Sequence, residues 1–361
     1  MILVGREKTR VRITQAKIGD CPLDARLVRA RLPWCALVAT VLIVSNSDGL
    51  MIMDPNDLVT FGDPTGNTEN PATSMFPGFG FWNNTESRDT YLGDGILIRV
   101  NHTGAPPGIG SQVTLFGVSV TVEDRLRLKF PPALNDDSDL WVWKVDTALA
   151  LPTLYPITQA LSADDDVIMT GQGHRRANGR TLWDIQVAPG PDNDTWTAGA
   201  SEPTAEARGF LTVSEGVRRW GTNKVALTDV ELGGSGGVTT AAFSTDFSLS
   251  NATAWEAQGT NNDSSGPVFV FQGGAWRLAG LIHGLNEFDG QPLNQQGVVA
   301  VDDYDLPNPP DNFTSSHTFI SDLSAYEDQL TAFGVLIPEP ATLSIVVLAA
   351  AVFMRRHRHE T

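Results

Sequence analysis

Cysteine is almost missing from this chain of 361 residues: there are two, Cys21 and Cys35, and none after residue 35. A disulfide framework is thereby excluded for the body of the protein, which must be held by its core or by bound ions. Positive charge is also short, with 25 Lys and Arg against 42 Asp and Glu, a formal net charge of −17. Nucleic-acid binding needs a basic face for the phosphates, so this balance excludes nucleic acid as a partner. No apolar run reaches the ~20 residues of a permanent membrane helix. There is no repeat at a solenoid or propeller period, no Walker loop, no zinc signature and no dinucleotide fingerprint, which removes those architectures and cofactors. The hydrophobic fraction of 41% is that of a folded globular chain rather than a disordered one.

What is present begins with two unusual ends. Arg26, Arg29 and Arg31 precede the apolar run Cys35 to Val44, which gives way to Ser45-Asn46-Ser47. Basic, apolar and small-residue regions in that order predict a secretory signal peptide over 1–47, with a buried core helix as the alternative. With both ends set aside, residues 48–334 keep fourteen bases against thirty-seven acids and no cysteine. At the other end Pro338-Glu339-Pro340 precedes an apolar segment from Ala341 to Met354 and the close Arg355-Arg356-His357-Arg358-His359. This tail, 335–361, resembles the PEP-CTERM sorting segment of bacterial exported proteins. At about 1.5 Å per residue the apolar span covers about 21 Å, less than the ~30 Å hydrocarbon core, which suits transient membrane contact better than lifelong anchoring. The resemblance implies an exosortase-type processing enzyme as partner and a surface or extracellular destination; a simple single-span anchor is the alternative.

Between the ends, short runs rich in β-branched residues are separated by Gly, Pro, Asn and Asp. Residues 95–100, 112–122, 140–145, 167–171, 181–187, 224–232, 268–271, 276–282 and 297–301 read as strands, a spacing that points to an all-β sandwich or barrel. Thr318 to Leu330 is the one predicted helix, with Ser321 or Asp322 near its start and Leu323, Tyr326 and Leu330 on one face. No inner linker divides the stretch 48–334, which reads as a single unit.

The stretch Asn262-Asp263-Ser264-Ser265-Gly266-Pro267, entering the apolar run Val268-Phe269-Val270-Phe271, has the form of a serine nucleophile loop leading into a buried strand. A serine hydroxyl is a poor nucleophile at neutral pH; it needs an imidazole to take its proton and a carboxylate to fix that imidazole's tautomer. His102 follows the strand Ile96 to Val100, and Asp139 opens the strand Leu140 to Val145, so the order is His, Asp, Ser. His174, in a Gly/Arg turn, and His283, after the strand 278–282, are rival imidazoles; Asp136 and Asp137 are rival carboxylates. Asp263 fits a support of loop geometry better than a catalytic group.

Five segments then carry a resemblance in order. They are Tyr91-Leu92-Gly93-Asp94-Gly95-Ile96-Leu97-Ile98-Arg99-Val100-Asn101-His102; Ser138-Asp139-Leu140-Trp141-Val142; Val167-Ile168-Met169-Thr170-Gly171-Gln172-Gly173; Ser264 to Phe269 with Trp276 to Ile282; and the closing Thr318 to Tyr326. Together they resemble a trypsin-like (chymotrypsin-fold) serine peptidase over residues 58–333. The resemblance implies two packed antiparallel six-stranded β-barrels with a C-terminal helix, and a polypeptide substrate. It implies Ser264 as nucleophile, His102 as base and then acid, Asp139 as orienting carboxylate, and the backbone N–H groups of Asn262 and Ser264 as the oxyanion hole. Gln258 falls at the floor of the primary pocket, where an uncharged residue argues against selection for Lys or Arg. His283 and Gly284 border the substrate groove.

Two positions depart from the family. Glycine is usual at those of Asn262 and Ser265, where positive φ or close approach is needed. Asn tolerates the left-handed region better than most residues; Ser does not. An active hydrolase, an inactive pseudopeptidase that binds through the same groove, and a structural β-rich surface protein therefore remain open. No cofactor is expected. Asp164-Asp165-Asp166 could bind structural calcium but lacks the spaced ligands of an EF-hand loop.

Overall fold

The computed structural model describes residues 50–337, apart from 54–64, 70, 73, 87, 132–134, 178, 187, 189–193, 202–204, 214–216, 234–236, 249–251, 287, 289, 293–296 and 302–314. The expected signal peptide and the Pro-Glu-Pro motif with the segment after it lie outside the described residues. No helix among the described residues is long and apolar enough to cross a membrane.

Alternation of apolar and polar residues, punctuated by turn chemistry, builds the first barrel. Its strands are β1 (Thr85–Glu86), β2 (Asp89–Gly93), β3 (Ile96–Val100), β4 (Gln112–Leu115), β5 (Val118–Lys129) and β6 (Asp137–Val145). They pair in the order β1-β2-β3-β6-β5-β4, all antiparallel, in a nearly closed ring. The β4–β5 hairpin turns on Phe116 and Gly117, both at positive φ (51° and 75°), the backbone that two-residue hairpins require.

The second barrel comprises β7 (Asp166–Gly171), β8 (Arg219–Gly233), β9 (Thr239–Phe247), β10 (Pro267–Gln272), β11 (Ala275–Leu285) and β12 (Ser316–Ser321). The order β8-β9-β12-β11-β10-β7 closes on itself through β7–β8 pairing, so no edge is left open. This is the paired-barrel, chymotrypsin-like architecture that the resemblance implies.

One apolar cluster joins the two barrels. Ile98, Val100, Leu140 and Val142 from the first meet Ile168, Trp220, Phe269, Leu278 and Leu281 from the second. Each such buried side chain contributes about 1.5–3 kcal/mol relative to exposure, which fixes the relative placement of anything carried at that seam. Leu323, Tyr326 and Leu330 close the cluster from the C-terminal side.

Three expectations need correction. The run 112–122, read as one strand, is the β4–β5 hairpin, because Phe116 and Gly117 turn the chain back on itself. The single helix expected over 318–330 begins as strand, because Thr318, Phe319 and Ile320 pair with β9 and β11. Asp322 then caps a 3-10 turn, Leu323–Tyr326, by accepting from the Ser324 N–H, and the α-helix α1 follows at Glu327–Phe333. The stretches near 181–187 and 297–301 are strands, yet they belong to neither barrel. Thr181–Gln186 and Gly297–Val301 join Thr195–Ala198 and Ala207–Phe210 in a separate four-stranded sheet, with Trp183, Ile185, Trp196, Ala207 and Phe288 as its own small core.

Candidate active site

Strand register brings the first two candidate residues together. In the antiparallel β3–β6 pair Val100 lies opposite Leu140, so the residue leaving β3 sits beside the one before Leu140. His102 rides on a single 3-10 turn, Asn101–Thr103, just past β3, and Asp139 stands on β6. His102 Nδ1 lies 2.5 Å from Asp139 Oδ2, and His102 Nε2 lies 2.7 Å from Ser264 Oγ. Of the rivals, Asp137 pairs with Arg127 and Lys129 away from the imidazole, and half-buried His174 lies 3.4 Å from the Asn262 side chain.

Burial raises the Asp139 carboxyl's pKa, but the bond from His102, the charges of His283 and His102 and a bond from Asn101 outweigh it. The net shift is downward, so Asp139 is ionised at neutral pH. Its backbone N–H donates to Thr240 Oγ1 at 3.0 Å, and the neighbouring Ser138 Oγ is 2.9 Å from Tyr326 Oη. Tyr326 Oη also accepts from the Ala241 N–H, so the C-terminal segment holds β6 and β9 together beside the carboxylate. Burial pushes the Tyr326 phenol up to about 12, which keeps it a neutral donor.

The Ser264 loop is tied down by Asp263. Its carboxylate accepts from the backbone N–H of Gly173 (2.5 Å) and of Thr260 (2.7 Å) and from Thr260 Oγ1 (2.8 Å). A Cβ at Gly173 would run into that carboxylate, which explains the glycine. Asn262 and Ser265 adopt φ of 74° and 75°, the left-handed backbone normally left to glycine. Ser265 has a compensating role that sequence reasoning missed. Its buried Oγ accepts from the Val100 N–H at 2.9 Å, two residues before His102, and its own N–H donates to Ile282 O. The backbone N–H groups of Asn262 and Ser264 have no partner among the described residues.

Gln258, His283 and Gly284, expected to bind substrate, are not among the residues that line the cavity beside Ser264. That cavity, of about 610 Å³, opens between the Ser264 loop and the first-barrel edge, with Glu86, Arg88, Thr103, Gln172 and Arg218 among its lining residues. Gln258 is fully buried, in a short strand Glu256–Gln258 that pairs with Met51–Met53. Gly284 stays on β11, paired with Phe319. His283 is 11% exposed and turned toward the carboxylate, its Nε2 3.6 Å from Asp139 Oδ2 and its ring edge-on to His102 with centroids 5.2 Å apart. Burial lowers its pKa to about 4, with Asp139 opposing and His102 adding to the shift, so it is neutral at pH 7. Nothing in the chain's local pattern signals this contact, because it depends on how the two barrels meet.

His102, Asp139 and His283 are the one group of three metal-ligating side chains close enough to share an ion among the described residues. Asp164, Asp165 and Asp166 form no such group; Asp165 instead accepts from the Ser162 N–H.

No protein-family model matches the chain, and no curated protein matches it. Among solved structures, neuropsin, a serine protease expressed in the limbic system of mouse brain, aligns at 10% identity, covering 68% of this chain and 87% of its own, with a TM-score of 0.36. An inactive form of the Rv3671c protease aligns at 13% identity, covering 68% of this chain and 83% of its own, with a TM-score of 0.33.

Proposed function

We propose that this chain is an exported serine endopeptidase that hydrolyses peptide bonds through an acyl-enzyme. The observation that carries the reading is the hydrogen-bonded line from Ser264 Oγ through His102 to Asp139, with bonds of 2.7 and 2.5 Å at the seam of two barrels. In this reading His102 Nε2 takes the proton as Ser264 Oγ attacks the scissile carbonyl, while Asp139 holds the Nδ1–H tautomer and stabilises the imidazolium. The N–H groups of Asn262 and Ser264 receive the oxyanion, each donor being worth about 2.7–4 kcal/mol. His102 then protonates the leaving amine, and water, activated by the same imidazole, releases the acyl group.

A pseudopeptidase is the competing reading, since Asn262 and Ser265 stand where the family has glycine. The glycine-like φ at both positions and the Ser265–Val100 bond support competence instead. Residues 48–334 form the catalytic unit, the first 47 direct export, and 335–361 form a tail handled by an exosortase-type enzyme after transient membrane contact. Hydrolysis of fluorescent casein by the full chain tests the reading. Activity lost in both Ser264→Ala and His102→Ala is expected, and equal turnover by parent and variants would reject it.

A further inference from the structure

His283 changes what the His102–Asp139 pair can bind. Two imidazole nitrogens and one carboxylate oxygen lie within 4.8 Å of one another, a donor set that suits Zn²⁺ and similar divalent transition ions. The separation of 3.6 Å between His283 Nε2 and Asp139 Oδ2 is close to the ~3.3 Å that divides two ligands of a tetrahedral ion at about 2.0–2.1 Å. The His102–Asp139 contact, at 2.5 Å, must open by somewhat under 1 Å. His102 sits on one short turn and is 26% exposed, so it has room to move, whereas Asp139 and His283 are 10% and 11% exposed and fixed in the barrel seam.

We propose that His102, Asp139 and His283 form a latent inhibitory site for one divalent transition-metal ion of the Zn²⁺ class. The inhibition, though not the metal binding, rests on the hydrolase reading. When Nδ1 of His102 ligates the ion, the ring's single proton must reside on Nε2. That nitrogen then has no lone pair for the Ser264 proton, and the general base is disabled without any covalent change. The site is expected to be reversible rather than structural. Ligating histidines usually donate their second N–H to an acceptor, and such partners typically contribute about 10–100-fold in metal affinity. His283 Nδ1 is buried with no partner in the described structure, so it gains no such support.

The test is a calorimetric titration of ZnCl₂ into the full-length Ser264→Ala chain, which needs no catalysis. A site of one equivalent and micromolar affinity is expected, weakened about tenfold or more by either His283→Ala or His283→Gln. An unchanged affinity in a folded His283 variant would overturn the proposal. An anomalous-scattering map of zinc-soaked crystals of the unmodified chain serves if neither variant folds: a peak between the three side chains supports the site, and zinc bound only elsewhere refutes it. In the parent, Zn²⁺ should slow fluorophosphonate labelling and EDTA should restore it. If the parent never labels but still binds zinc through His283, the hydrolase reading fails and the metal site stands.

Discussion

At the scale of single residues, Ser265 decides how the loop tolerates a backbone conformation normally left to glycine. A non-glycine residue in the left-handed region costs roughly 1–2 kcal/mol, and the bond from the Val100 N–H offsets part of that. Ser265→Ala keeps the strained backbone and leaves a buried N–H unpaired, so a loss of about 1–3 kcal/mol in urea unfolding is expected. Ser265→Gly loses the bond but also relieves the strain, so its stability should fall between parent and Ser265→Ala. An alanine variant as stable as the parent would show that the bond contributes nothing. The alcohol, imidazole and carboxylate of the candidate site were legible because each stands at the mouth of a strand with a clear apolar pattern. Neither the Ser265 bond nor the position of His283 was legible, since both connect segments more than 140 residues apart through the barrel seam.

At the scale of elements, the short strand Glu256–Gln258 carries a buried acid that titrates in a useful range. Burial pushes the Glu256 carboxyl up from 4.5 to about 8, against the bonds it accepts from the Thr253 N–H and Oγ1. The folded pKa is thus raised above the unfolded one. Its contribution is fully present below pH ~4.5 and is lost as pH climbs through about 8. Glu256→Gln should match the parent near pH 4.5 and become progressively more stable than it up to pH 8, by roughly a few kcal/mol. Thermal melts across that range check this, and a constant difference between the two proteins would contradict it. Strand-forming runs and turn residues were readable in the sequence because β-branched side chains and Gly-bearing turns act locally. The start of the helix was not, because Thr318 to Ser321 satisfy a helical pattern as well as a strand, and pairing with β9 and β11 decides between them. The separate four-stranded sheet was hidden for a related reason: strand propensity is silent on which sheet a strand joins.

At the scale of the whole molecule, a net charge of −17 with no disulfide in the body means that two apolar barrels hold together against their own repulsion. Screening should therefore stabilise the protein, and raising NaCl from about 0.05 to 0.5 M is expected to lift Tm by a few degrees. A melting point that falls with salt would point to surface ion pairs as the dominant electrostatic contribution. The paired barrels matter to function because they bring side chains from β6, the turn after β3 and the loop before β10 to one seam. The claim that this seam is a working acyl-transfer site is tested most directly by mass spectrometry of the full chain after exposure to a fluorophosphonate. One adduct per chain, mapped to Ser264 and absent in His102→Ala, is the expected result; an unmodified chain, or an adduct that persists without the imidazole, would contradict it.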